Sequence, residues 1–200
     1  MAIDQPWPPP AGRVTALFVS VALMMLAITW VYRGMRAVMD IGGACASGGP
    51  YVPVQPCPGG ATALLTIGIF VMVGAALAGT AIAVSVGAPV LLLAMWWLLF
   101  GALGWNFIDY GVVQGDPGDG SVVWGWLICG VMFWLMAAPA LAIQIAALLG
   151  VPGRVAVRLA GRSSRLAALN EHSGAWWLCY LLLAVVGVGL GWWTFDRWAT

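Results

Sequence analysis

The chain has 200 residues, of which 62% are hydrophobic and only 8% charged, with a formal net charge of +1. That composition excludes a soluble globular domain, and the near-neutral charge excludes bulk attraction to nucleic acid. All eight basic residues are arginine, and heavy use of Ala and Gly accompanies them, the pattern of a GC-rich coding sequence.

Five apolar stretches cover residues 14–32, 61–84, 88–108, 122–149 and 174–193. Each approaches or exceeds the ~20 residues that, at 1.5 Å rise, cross about 30 Å of hydrocarbon. The expected fold is therefore all-α: a polytopic transmembrane bundle of five spans in a single membrane domain, residues 1–200. The first span follows Asp4, a proline-rich run at residues 6–10 and Arg13. It shows no small-x-small cleavage pattern and reads as a retained helix, not a secretory signal.

An outer loop, residues 33–60, follows. Its first part reads Tyr32-Arg33-Gly34-Met35-Arg36-Ala37-Val38-Met39-Asp40. If the first helix continues here, Arg33, Arg36 and Asp40 share one face at i, i+3 and i+7. Its second part carries Cys45 and Cys57 among glycines and prolines, a turn-rich composition. A bond between them would close a loop of about a dozen residues, worth roughly 2.5–3 kcal/mol in the chain-entropy model. The spacing is unlike the close C-x-x-C of redox pairs, so a structural disulfide is the expectation. Residues 32–51, with the arginine pair, Asp40 and Cys45-Ala-Ser-Gly-Gly-Pro-Tyr51, resemble a segment of small actinobacterial multi-pass membrane proteins of unknown function. That resemblance implies an origin and carries no activity.

Residues 61–108 are almost continuously apolar, and as one helix would be ~72 Å long. The chain must reverse, and Ser85-Val86-Gly87-Ala88-Pro89 suits the turn. Gly87 permits unusual dihedrals and Pro89 fits a first helical turn. Asp109 closes the third span, and Asp116 and Asp119 follow in a Gly/Pro turn. Arg33 or Arg36 is expected to pair with Asp109, because arginines on that side run against the positive-inside bias.

Residues 150–173 form an inner loop in which Arg154, Arg158, Arg162 and Arg165 fall within about 80° on a helical wheel. They are expected to contact anionic headgroups at the inner leaflet. With Arg13 they make five arginines on one side, against Arg33, Arg36 and Arg197 on the other. The asymmetry predicts an N-in, C-out threading in a bacterial plasma membrane, with the cysteine loop outside. Tryptophans near both span ends fit either sense. Cys129 and Cys179 fall within spans and read as small packing residues.

Small residues recur every fourth position: Ala75, Gly79, Ala83 and Gly87 in the second span, Ala138, Ala142, Ala146 and Gly150 in the fourth, Gly187 and Gly191 in the fifth. Such stripes let backbones approach closely, within the chain or between copies. None of the seven carboxylates falls at mid-span, nor does any arginine, and the one histidine, His172, lies in the inner loop. Coupled transporters place ionisable groups along their path, and intramembrane hydrolases need a metal-ligand or Ser-His constellation. No catalytic residue, metal or cofactor is predicted, and the chain is read as not an enzyme. Polar mid-span residues are few: Ser20, Thr66, Thr80 and Gln144.

Three function classes stay open. The first choice is an oligomeric passive pore or channel, with Arg33, Arg36, Asp40 and Asp109 as an outer ring. The second is an accessory or scaffold subunit of a larger membrane complex. The third, a membrane thiol-redox protein or enzyme, has only the cysteine pair to recommend it. The expected partners are the lipid bilayer, further copies or other membrane subunits, and no nucleic acid.

Overall fold

A computed structural model describes residues 9–41, 59–115, 120–148 and 165–199. Among them are five helices long and apolar enough to span a membrane, and no strand. α1 is Ala11–Asp40 and α2 is Gly59–Val86. α3 is Leu91–Ile108 and runs on into a π-helical turn, Asp109–Gln114. α4 is Trp124–Leu148 and α5 is Arg165–Trp198. Cys45, Cys57, Asp116, Asp119, Gly150, Arg154, Arg158 and Arg162 lie outside the described residues, as does the side chain of Arg165.

The helices extend beyond the apolar stretches. α1 continues through Arg33 and Arg36 to Asp40, so the segment expected as loop is helical up to Asp40 and again from Gly59. α5 likewise begins at Arg165, inside the stretch expected as an inner loop. Polarity ends an apolar run but not a helix: arginine and methionine are good helix formers, and backbone bonding continues until a breaker intervenes.

The reversal between α2 and α3 falls at the expected place. Gly87 takes φ +72°, a conformation that L side chains rarely adopt, and Ala88 N–H donates to Ala83 O at 2.9 Å. Gly87 therefore serves the turn, where it is exposed, and does not extend the packing stripe of α2.

α1 is the central helix. It packs on α2, α5 and α3, while α4 packs on α3 and its π turn. The main core joins Leu17, Val21, Met24 and Ile28 of α1 to Met72 and Ala76 of α2, Leu91 and Met95 of α3, and Trp176 and Tyr180 of α5. A smaller cluster of Trp30, Ala61, Leu64 and Phe195 closes the far end of the α1, α2 and α5 group.

Glycines set the closest approaches. A Cβ on Gly187 would lie 2.5 Å from Ala22 O, and one on Gly191 2.8 Å from Leu26 O, so both admit the α1 backbone. Gly79 admits Leu91 and Ser20, and Ala83 beside it is fully buried, with Ala75 half-buried against the same core. On α4 the described part of the stripe is mostly outward, with Ala146 half-buried. Ala138 and Ala142 are exposed, and α3 is met instead by Gly130, Ala137, Ala140 and Gln144.

Polar side chains within the spans find partners. Ser20 donates to Ala16 O, Thr29 to Met25 O and Thr66 to Thr62 O, each at 2.9 Å, and Thr80 Oγ1 accepts from Leu92 N–H at 2.9 Å. Gln144 accepts the indole N–H of Trp97. Each bond removes the cost of an unpaired polar group in an apolar medium.

Candidate functional site

Up-and-down threading brings the C-terminal ends of α1, α3 and α5 and the N-terminal ends of α2 and α4 to one end of the bundle. Asp40, Asp109 and Asp196 gather there with Arg33 and Arg36. Helical periodicity places Arg33 and Arg36 on one face, but the structure divides them between two neighbours.

Arg36 turns to α3. Its Nη1 lies 2.8 Å from Asp109 Oδ2, with both side chains largely buried (27% and 16% exposed). The same nitrogen donates to Asn106 Oδ1 at 3.3 Å, and Asn106 Nδ2 donates to the Tyr32 carbonyl at 3.4 Å. Asn106 is fully buried, so its amide links α3 to the α1 side chain and the α1 backbone at once. Asp109 Oδ2 also accepts from Gln114 Nε2 at 3.1 Å, across the π turn. The Tyr110 hydroxyl donates to the Asp40 carboxylate, and its ring lies 5.0 Å beneath the Arg36 guanidinium.

Arg33 turns to α5. Its Nη2 lies 2.6 Å from Asp196 Oδ1, but that carboxylate is 53% exposed and the pair sits at the rim. The guanidinium stacks over Trp192 at 4.2 Å and Phe195 at 5.1 Å, positions one helical turn apart. Nearby, Trp30 Nε1 donates to Thr194 Oγ1 at 2.8 Å.

Several partners in this arrangement are not singled out in the sequence, among them Asn106, Tyr110, Gln114 and Asp196. Asn106 had a readable signal, an amide inside an otherwise apolar run, where an unpaired polar group would be costly. Tyr110 and Asp196 had none, because their roles depend on which helices become neighbours.

The chemistry of the cluster is ion pairing and hydrogen bonding between helices. Among the described residues no three His, Cys, Asp or Glu side chains converge in a metal-ligating group. Cys129 of α4 and Cys179 of α5 are free thiols, the first exposed and the second half-buried. Gly79, Gly187 and Gly191 lie along the α1 interfaces and do not join this cluster.

Compared with known proteins, the chain matches no family model, no curated sequence and no solved structure.

Proposed function

We propose that the chain is an integral membrane subunit that works by association with other membrane helices, as an accessory or scaffold component. The observation that carries this reading is the closure of the charged end on itself. Arg33, Arg36, Asp40 and Asp109 are engaged by Asp196, Asn106, Tyr110, Gln114 and one another, so they brace helices and do not present a ring of open charge. The packing adds support: the central position, where a lumen in a single chain would run, is taken by α1. The periphery, in contrast, is apolar. On α4, Ala138 and Ala142 are exposed beside Leu135 and Leu141, a surface suited to lipid or to another apolar helix.

In this reading the subunit lies N-in, C-out in a bacterial plasma membrane. Extraction in a mild detergent followed by mass measurement of the intact particle tests the role. Co-purification of different membrane chains at fixed stoichiometry is the expected result. A particle built of this chain alone, in a closed ring, would favour an oligomeric passive pore with the path between copies.

A further inference from the structure

The five helices fall into two packing units. α1, α2 and α5 form a body, joined where Gly68 meets Ala27 and Val31 and where Gly187 and Gly191 meet α1. α3 and α4 form a pair with its own internal bracing. Trp96 Nε1 donates to Met136 O at 3.1 Å, Trp134 Nε1 to Gly101 O at 3.2 Å, and Trp97 Nε1 to Gln144. The rings of Trp96, Phe100, Phe133, Phe107 and Trp126 run in succession along the seam, with neighbouring centroids 4.7–5.8 Å apart.

Between body and pair, contact is made through α3. Its polar bonds concentrate at two ends. At one end is the turn, where Gly87 holds φ +72°, Leu92 N–H meets Thr80, and the Tyr180 hydroxyl donates to Pro89 O at 3.0 Å. At the other are the Arg36–Asp109 pair, the Asn106 bridge and the Tyr110–Asp40 bond. The stretch between them is apolar, with Met95, Leu98 and Leu99 against the core.

We infer that α3 and α4 form an arm hinged at residues 87–90 and latched to the body by Arg36, Asp40, Asn106, Asp109 and Tyr110. Inside a bilayer an apolar seam is weakly held, since lipid tails replace the lost contacts. A clasp of ion pairs and hydrogen bonds is either made or broken, which gives the arm two discrete positions. The π turn at Asp109–Gln114 belongs to the same device. Its wider register sets the directions of the adjacent Asp109 and Tyr110, and a return to α register would turn them away from α1.

Spin-label distances in lipid nanodiscs test the latch, in a parent protein with Cys45, Cys57, Cys129 and Cys179 replaced by serine. One label pair joins body to arm, at Ile67 of α2 and Ile128 of α4. A second stays within the body, at Ile67 and Leu190 of α5. All three positions are exposed. The parent should give one narrow body-to-arm distribution. Asp109→Asn and Tyr110→Phe should each add a second, longer population, larger in the double variant, while the within-body distances stay unchanged. A body-to-arm distribution that stays single and narrow in the double variant overturns the inference, because apolar packing alone would then fix the arm. So does broadening of the within-body pair, which would make the cluster a support of the whole fold, or a parent distribution that is already broad.

Discussion

Asp109 and Asp196 both pair with an arginine of α1, yet their surroundings assign them different weights. Asp109 is largely buried and accepts from two side chains, whereas Asp196 is half exposed at the rim. Removing one partner of a buried pair leaves the other charge uncompensated, while an exposed pair contributes at most about 1 kcal/mol. Asp109→Asn is therefore expected to lower stability by about 1–3 kcal/mol, and Asp196→Asn by less than about 1 kcal/mol. Thermal unfolding of the detergent-solubilised protein measures both; equal losses would show that burial does not set the ranking. The sequence held part of this contrast. Asp109 is legible as a partner for Arg33 or Arg36, because it borders a span near their depth. The choice of Arg36, and the assignment of Arg33 to Asp196, were not legible. About 60° of helical rotation separates the two arginines, and only the positions of α3 and α5 around α1 decide which way each turns.

At the scale of elements, hydropathy located all five helices and the Gly87 reversal but set several ends too early or too late. Apolar runs mark what lipid or core will cover, and α1 and α5 both continue into polar sequence where nothing breaks them. The small-residue stripes were legible as spacing and not as direction. Gly79, Ala83, Gly187 and Gly191 face partners within the chain, while Ala138 and Ala142 face outward, although all share the same interval of four. On the α3–α4 seam, Gly104 and Gly130 lie outside the stripes altogether, and a Cβ on either would lie 2.9 Å from the other's carbonyl oxygen. Glycine neighbours on one helix offer an internal control for this geometry. An added Cβ at Gly187 would press on the α1 backbone, whereas at Gly189 it meets nothing within 4 Å. Gly187→Ala should thus cost about 1–3 kcal/mol through overpacking. Gly189→Ala should be neutral or stabilising by up to about 1 kcal/mol, since alanine favours the helix. Comparison of unfolding midpoints decides it, and identical shifts would mean that α1 and α5 separate easily enough to absorb the methyl.

For the whole molecule, the shared end of α1, α2, α3, α4 and α5 ties several sequence features to one side. Residues 42–58, the α3–α4 connection and the C-terminus all leave from the charged end, and Arg13 with residues 149–164 leaves from the opposite one. Any threading must move these groups together. The five-to-three division of arginines favours Arg13 and the arginine-rich loop on the cytoplasmic side, which sends Cys45, Cys57 and Arg197 outward. In an oxidising compartment the two cysteines, a dozen residues apart in a Gly/Pro-rich segment, should then be bonded, adding roughly 2.5–3 kcal/mol by constraining the unfolded chain. Orientation and bond are thus one prediction with two readouts. A reporter fused after Thr200 should be active outside the cytoplasm, and non-reducing mass spectrometry should find Cys45 linked to Cys57. A reporter active only inside, together with free thiols, would reverse the threading and place the arginine-rich loop outside, against the charge rule. A reporter active outside with free thiols would keep the threading and remove the disulfide.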